Sequence, residues 1–201
     1  MIGCRPLTDD EVKRVLASLS AKKATRDRAL FLLGINTGLR VGEMLSLRVG
    51  DVFQFDRVVD RITIERRFTK GRRTGQTRVV NDAVRDGLTD WIGEMARQGR
   101  ALINAPLFLS RSCRMKPISR VWVYRLLRKI YRANKMTGKL GTHSMRKTFA
   151  ARIHPLLGAD MVKTQAALGH QYMESTIRYL SFLQEEIDRA TLSLCAPTQN
   201  G

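Results

Sequence analysis

The chain has 201 residues, 43% of them hydrophobic, and is long enough to bury a core without disulfide or metal support. It carries 36 Lys and Arg against 18 Asp and Glu, which gives a net charge of +18. This charge predicts a basic surface that binds a polyanion, and nucleic acid is the first candidate. A solvated basic face and a ribosome-associated protein are the alternatives. No run approaches the roughly 18 apolar residues of a membrane span, and Cys4, Cys113 and Cys195 fit neither a disulfide framework nor a zinc site, so a cytoplasmic protein with reduced thiols is expected.

The first quarter of the chain is predicted to form three helices. Thr8 stands three residues before Glu11, the spacing of a capping box, and apolar residues follow at helical intervals. The stretch "TRDRALFLLGINTG" predicts a second, more apolar helix that ends at Gly38. A short third helix is predicted over "VGEMLSLRVGDV".

Between Val52 and Val80, β-branched and aromatic residues replace the helical pattern. They predict a small antiparallel sheet with a basic hairpin, "TKGRRTGQT". After a helix in "DAVRDGLTDWIGEMARQ" and a short extended piece, "LFLS", the stretch "ISRVWVYRLLRKIYRAN" predicts a basic amphipathic helix. Its Trp122, Tyr124 and Tyr131 are large rings of the kind that is more often buried in a core than laid against DNA.

The last third is helical again, in "HSMRKTFAARIHPLL", "DMVKTQAAL", "ESTIRYLSF" and "LQEEIDRATLSL". No repeat, low-complexity tract or linker-like segment divides the chain. The predicted fold is therefore a single domain over residues 1–201, mainly α (α+β class), in which a small antiparallel sheet is inserted among helices.

The acidic residues do not suggest a metal-dependent nuclease. Such enzymes need several carboxylates converging on Mg²⁺. The dense cluster of Asp9, Asp10 and Glu11 lies instead in the first turn of a helix, where the helix dipole accounts for it. No metal or other cofactor is predicted. His143 and Arg146, three residues apart, could bind one phosphate together, but as an isolated pair they are weak evidence.

Four stretches in this order resemble the motif set of the tyrosine recombinases, the phage integrase family. They are "TGLRVGEMLSLRVGD", "KGRRTGQTRVV", "THSMRKTFAAR" and "ALGHQYMESTIRYL", and the resemblance runs from about Leu7 to about Leu192. The ordered combination is far more specific than any single motif. It implies a set of six catalytic residues: Arg40, Lys70, His143, Arg146, His170 and Tyr179.

The resemblance implies that five of these residues surround the scissile phosphate. Arg40 and Arg146 would bind its non-bridging oxygens, and Lys70 would protonate the leaving 5′ oxygen. His143 and His170 would hydrogen-bond the phosphate and assist proton movement. Without a metal, the charge that develops on the phosphate must be met by such preorganised donors, each typically worth a factor on the order of 10² to 10³.

Tyr179 would be the nucleophile, since it follows His170 by nine residues, the spacing of the family. The resulting 3′-phosphotyrosine conserves the energy of the broken bond, so strand exchange needs no ATP. Tyr172 lies only two residues after His170 and is expected to be a packing or rim residue. Glu43 matches a supporting acidic position, and His154 has no motif partner and is expected to be structural.

Beyond the six, basic residues of the hairpin and of two helices are predicted to bind DNA: Arg72, Arg73, Arg120, Arg125 and Lys147. The family implies a homo-tetramer on double-stranded DNA, with a monomer possible in its absence and with accessory DNA-bending or directionality proteins as further partners. The amphipathic tail after Tyr179 would dock on a neighbouring protomer or pack on its own chain.

Many relatives carry a separate N-terminal helical domain that closes a clamp around DNA, and few residues precede "LTDDEV" here. That core-binding domain is expected to be absent, the chain being either a catalytic fragment or a short recombinase. The predicted function is site-specific DNA recombination by a cytoplasmic, nucleoid-associated protein of bacterial or phage origin. A DNA-binding regulator with the same fold but no strand exchange is the alternative, and a relaxing type IB topoisomerase is the alternative among enzymes.

Overall fold

A computed structural model describes residues 3–20, 24–65, 75–110, 116–180 and 191–192. Its helices are α1 (Asp9–Ser18), α2 (Thr25–Thr37), α3 (Val41–Met44), α4 (Val49–Val52), α5 (Asp82–Arg97), α6 (Arg120–Ala133), α7 (Thr142–Leu156), α8 (Met161–Leu168) and α9 (Met173–Tyr179). The strands are β1 (Phe53–Gln54), β2 (Arg57–Val58), β3 (Arg61–Ile64) and β4 (Gln76–Val79). The predicted fold class is confirmed, whereas the tail helix predicted in "LQEEIDRATLSL" lies almost wholly outside the described residues.

Helix α1 begins at the predicted capping box. The hydroxyl of Thr8 accepts from the backbone N–H of Glu11 at 3.2 Å, and the Glu11 carboxylate accepts from the backbone N–H of Thr8 at 2.9 Å. Both helix-end donors are thereby satisfied. Just before α1, the backbone N–H of Leu7 donates to the Thr148 hydroxyl at 2.9 Å and so joins this segment to α7.

Helix α2 is the centre of the core and packs against α5 and α7. Leu30, Phe31 and Leu33 are buried. A side chain at Gly34 would meet the Met145 sulfur at 2.7 Å, so this glycine lets α7 approach the α2 backbone. The helix ends at Gly38, whose φ of 62° is left-handed, as the predicted glycine stop requires.

The single helix predicted over residues 41–52 is wrong, because these residues form two separate turns, α3 and α4. Between the turns, the carbonyl of Leu47 accepts from the N–H of Leu107 at 2.8 Å, and Arg48 forms a bridge with Pro106. This pairing with a distant segment takes the place of helical hydrogen bonds. Met44 and Leu47 are nevertheless buried, because apolar spacing alone does not distinguish one helix from two turns.

The predicted antiparallel sheet consists of two separate two-stranded pairs. Strands β1 and β2 pair Phe53 with Val58, and strands β3 and β4 pair Arg61 with Val79 and Ile64 with Gln76. Strand β3 alternates between exposed and buried residues, so one of its faces lies on the core. Residues 66–74, which hold most of the predicted basic hairpin, lie outside the described residues.

Helix α6 divides its three aromatic residues between core and surface. Tyr131 is buried and Trp122 is partly buried, whereas Tyr124 is 47% exposed. The basic residues Arg120 and Arg125 are also exposed. Within the described ranges, no helix combines the length and the apolar character needed to cross a bilayer.

Candidate active site

The site begins at the turn between α2 and α3, where Arg40 and Glu43 form a closed pair. Arg40 donates its backbone N–H to one carboxylate oxygen of Glu43 at 2.7 Å and its Nη1 to the other at 2.9 Å. The Glu43 side chain is 2% exposed, and that of Arg40 is 32% exposed. Glu43 therefore holds the Arg40 guanidinium at the mouth of a cleft.

Arg146 is the most deeply buried cation described, with a relative exposure of 1%. Its Nη1 donates to the carbonyl of Gly38, its Nη2 donates to the carbonyl of Leu168 at 2.6 Å, and Nη1 lies 4.0 Å from the Glu43 carboxylate. Burial, together with the charge of Arg40, lowers the pKa of Arg146 to about 10, so the guanidinium remains charged at neutral pH. Its Nε is buried and has no hydrogen-bond partner in the part of the chain that the structure describes.

His143, in the first turn of α7, contacts Tyr179, the last residue of α9. Its Nδ1 lies 2.9 Å from the Tyr179 hydroxyl oxygen. Desolvation and the neighbouring charges of Arg146, Arg40 and Lys147 lower the pKa of His143 below its usual value. At neutral pH the ring is therefore uncharged, and a neutral imidazole nitrogen can accept the tyrosine proton.

His170 also lies against the Tyr179 ring. Gly169 ends α8 in the left-handed conformation, with a φ of 64°, and this turn brings the His170 ring centroid to 4.8 Å from that of Tyr179. The Nδ1 of His170 lies 3.0 Å from the hydroxyl of Thr176, one turn before Tyr179 on α9. The guanidinium carbon of Arg146 lies 5.7 Å from the Tyr179 ring centroid. The tyrosine thus sits among two histidines and a buried arginine of its own chain.

Arg40, Glu43, His143 and Arg146 border a cleft of about 250 Å³, whereas Tyr179 and His170 are not among its lining residues. Its walls come from α3, α6 and α7, and its lining residues are Leu39, Arg40, Val41, Gly42, Glu43, Arg120, Tyr124, Thr142, His143 and Arg146. Three arginines line it against one carboxylate, which is already bound by Arg40. The cleft therefore presents positive charge and hydrogen-bond donors to a small anion. Among the described residues, no group of His, Cys, Asp and Glu side chains is arranged to hold a metal ion.

Lys147, whose predicted DNA contact stays a prediction, is a buried lysine of α7. It is 8% exposed, and its Nζ lies 5.9 Å from the Tyr179 ring centroid. Desolvation lowers its pKa. Lys147 directly follows Arg146 on α7, and both are buried. The buried face of this helix is therefore wide enough to include two neighbouring residues.

The remaining predicted residues fall into two groups. Lys70, Arg72 and Arg73 lie outside the described residues, so their predicted roles stay predictions. Tyr172 is 63% exposed at the N-terminus of α9 and makes no contact of the kind that Tyr179 makes with His143 among the described residues. His154 is buried against Thr164, at 2.8 Å, as its structural interpretation implies.

Sequence reasoning missed two kinds of contact at the site. The carbonyls of Gly38 and Leu168, which hold Arg146, belong to the main chain and carry no residue-type signal. Thr176 and Tyr124 are side chains that no motif singled out; Thr176 could have been found from its position one turn before Tyr179.

Comparison with known proteins places this chain in one family. Residues 5–186 match the sequence model of the phage integrase family. The probable integrase/recombinase YoeC of Bacillus subtilis (strain 168) is 31% identical over 180 residues, which cover 90% of this chain and 88% of that protein. The tyrosine recombinase XerA of Pyrococcus furiosus is 30% identical over 94% of this chain and 62% of its own length. The chain belongs to the phage integrase family, as the sequence motifs predicted.

Solved structures agree on the fold. A crystal structure of XerA recombinase superposes with a TM-score of 0.74 at 23% identity, covering 94% of this chain and 65% of that one. A post-cleavage complex of the XerH site-specific recombinase with palindromic difH substrate gives a TM-score of 0.72 at 22% identity, covering 95% of this chain and 53% of that one. The chain thus spans about half to two-thirds of the length of these structural relatives.

Proposed function

We propose that the protein is a site-specific DNA recombinase that cleaves and rejoins strands through a covalent 3′-phosphotyrosine intermediate. The observation that carries the proposal is the Tyr179 hydroxyl, 2.9 Å from the Nδ1 of His143 and beside the buried cation Arg146. Membership of the phage integrase family supports it, since the relatives include proteins described as integrases, tyrosine recombinases and a transposase.

In this proposal, the scissile phosphate enters the cleft between α3 and α7. Arg40 and Arg146 bind its non-bridging oxygens, and the buried Nε of Arg146 has a hydrogen left to donate. His143 and His170 contribute further donors at the phosphate. Because Arg146 is already fixed by two carbonyls, it stabilises the developing charge without first having to reorganise.

The Tyr179 oxygen attacks the phosphorus, so a P–O bond to tyrosine forms as the P–O bond to the 5′ oxygen breaks. The tyrosine proton passes to the Nδ1 of His143, which is the nearest described acceptor to that hydroxyl. Lys70, by resemblance to the family, supplies a proton to the leaving 5′ oxygen. Attack by a second 5′ hydroxyl on the phosphotyrosine reverses these steps and joins the new strands without ATP.

The proposed substrate is double-stranded DNA, consistent with the net charge of +18 and the exposed Arg120 and Arg125 on α6. Arg72 and Arg73 would extend this surface. We further propose that the protein acts as a tetramer on two duplexes, in the cytoplasm and at the nucleoid, and that the described domain is the catalytic one.

Formation of a protein–DNA adduct tests the proposal. Short fluorescent duplexes are recovered from a random-sequence pool by binding to the protein, and SDS-resistant adducts are then resolved on denaturing gels. The wild type should form an adduct that Tyr179→Phe abolishes, since this change removes one oxygen atom and leaves the ring packing intact. Tyr172→Phe is the matched control and should retain the adduct. An adduct with Tyr179→Phe would refute the assignment of the nucleophile.

The same assay separates the rival functions. Tight binding of the selected duplexes without any wild-type adduct would favour a DNA-binding regulator. An adduct that religates its own strand but never joins strands from two duplexes would favour a topoisomerase. Joined products from two labelled duplexes are expected for a recombinase.

A further inference from the structure

Two buried histidines each contact a threonine hydroxyl, and the two pairs allow the proton positions to be compared. The Nδ1 of His154 lies 2.8 Å from the hydroxyl of Thr164 on α8. That hydroxyl donates its proton to the carbonyl of Asp160 at 2.7 Å. Because a hydroxyl has a single proton, Thr164 can only accept from His154, whose ring must carry hydrogen on Nδ1.

The second pair lacks this constraint. Buried threonines in helices commonly return their proton to the carbonyl four residues earlier, and Thr37 and Thr148 do so here at 2.6 and 2.8 Å. Within the described residues, Thr176 makes no such bond, and its hydroxyl instead lies 3.0 Å from the Nδ1 of His170. Thr176 is fully buried, so water does not compete for that proton.

We propose that Thr176 is a positioning residue, whose hydroxyl donates to the Nδ1 of His170 and thereby holds this ring in the neutral tautomer with its hydrogen on Nε2. The inference rests on the proposed function, in which His170 is a donor at the scissile phosphate. In the opposite tautomer Nε2 would be a bare acceptor, which repels a phosphate oxygen instead of donating to it.

The same bond also positions the nucleophile. Thr176 and Tyr179 are one turn apart on α9, and His170 belongs to the turn that precedes this helix. Since the His170 and Tyr179 rings lie 4.8 Å apart, a rotation of α9 that moved Tyr179 would also stretch the bond from Thr176. One hydroxyl thus couples the orientation of the donor to the location of the attacking oxygen.

NMR spectroscopy of the histidine rings tests the tautomer directly. The chain has three histidines, so single His→Gln variants assign every ring signal. Long-range ¹H–¹⁵N correlations, recorded well above the usual histidine pKa of about 6.5, distinguish hydrogen on Nε2 from hydrogen on Nδ1. We expect the Nε2–H tautomer for His170 and the Nδ1–H tautomer for His154, which serves as the internal reference. An Nδ1–H tautomer for His170 in the wild type would overturn the proposal.

Kinetics of adduct formation test the consequence. Thr176→Val preserves the shape of the side chain but removes the donor, and should slow single-turnover adduct formation roughly tenfold while leaving DNA affinity unchanged. Thr176→Ser keeps the hydroxyl and should restore most of the rate. Thr164→Val removes a comparable buried hydroxyl on α8 and should leave the rate near that of the wild type.

The outcomes separate this inference from the proposed function. A wild type that forms no adduct overturns the proposed function, and the tautomer of His170 then still shows whether the hydrogen bond from Thr176 is present. A wild type that forms adduct and a Thr176→Val variant that matches its rate overturn the positioning role alone. Equal slowing by the Val and Ser variants would mean that packing, not the hydroxyl, is responsible. If Thr176→Val does not fold, the adduct rate of Thr176→Ser and the His170 tautomer of the wild type test the role of the hydroxyl instead.

Discussion

Replacement of Glu43 by glutamine tests how strongly the buried carboxylate holds the two arginines together. The substitution keeps the shape of the side chain but removes its charge and converts one of its two oxygens to an amide NH₂. Both oxygens accept hydrogen bonds from Arg40, at 2.7 and 2.9 Å, and Arg146 lies 4.0 Å away. One of the two Arg40 donors must then face another donor.

The expected loss in the free energy of unfolding follows from these contacts. A hydrogen bond between charged groups contributes about 1.5–3 kcal/mol, and one such bond is lost. The two guanidinium groups also lose the charge that compensates them, which adds to the cost at a site where Glu43 is 2% exposed. Arg40 is 32% exposed, so water recovers part of its hydrogen bonding. We therefore expect Glu43→Gln to destabilise the fold by about 2 to 3 kcal/mol.

Urea denaturation monitored by circular dichroism measures this loss, with the slope of the transition checked for constancy. Glu94→Gln is the matched control, because Glu94 also accepts from an arginine and an amide, Arg97 and Gln98, but its side chain is 30% exposed against 2% for Glu43. The urea midpoint of this control should equal that of the wild type within experimental error. A Glu43→Gln midpoint equally close to the wild type, equivalent to less than about 1 kcal/mol, would refute the reasoning.

Two further predictions concern His143 and Gly38. The pKa of His143 is lower in the folded state than its unfolded value of about 6.5. Its titration should therefore leave the free energy of unfolding unchanged above about pH 6.5 and should reduce it as the pH falls from there through the folded pKa. His143→Gln should flatten this part of the dependence of urea denaturation on pH. Gly38→Ala should cost about 2 to 4 kcal/mol in thermal or urea unfolding, because the residue has a φ of 62° and a Cβ would clash with the Phe149 ring. Gly99→Ala, at a φ of 65° with open space around it, isolates the backbone part of that cost.

The sequence predicted those parts of the fold that local chemistry determines. The capping box of Thr8 and Glu11, the glycine end of α2 and the alternation along β3 each depend on residues close in the chain. The split of residues 41–52 into two turns was missed, because it depends on pairing with residues 106 and 107. Such long-range pairing leaves no periodic signal in either segment.

The candidate site shows the same division. Arg40, His143, Arg146, His170 and Tyr179 were all predicted from ordered motifs, and the structure brings them together, although the catalytic role of each remains a prediction. The inward position of Lys147 and the bond from Thr176 to His170 were not predicted. The approach of Lys147 to the Tyr179 ring joins α7 to α9, and no spacing within one segment determines such a contact.

In the proposed mechanism, the way in which Arg146 is held lets a buried cation attract a phosphate. Its direct hydrogen-bond acceptors are carbonyls at the ends of α2 and α8, where the helix dipole places partial negative charge. Such carbonyls fix the guanidinium without cancelling its charge, whereas a carboxylate in direct contact would cancel it. Glu43 makes its direct hydrogen bonds to Arg40 and stays 4.0 Å from Arg146. This leaves the positive charge of Arg146 for the phosphate of that mechanism, and the guanidinium carbon lies 5.7 Å from the ring centroid of Tyr179 in the same chain.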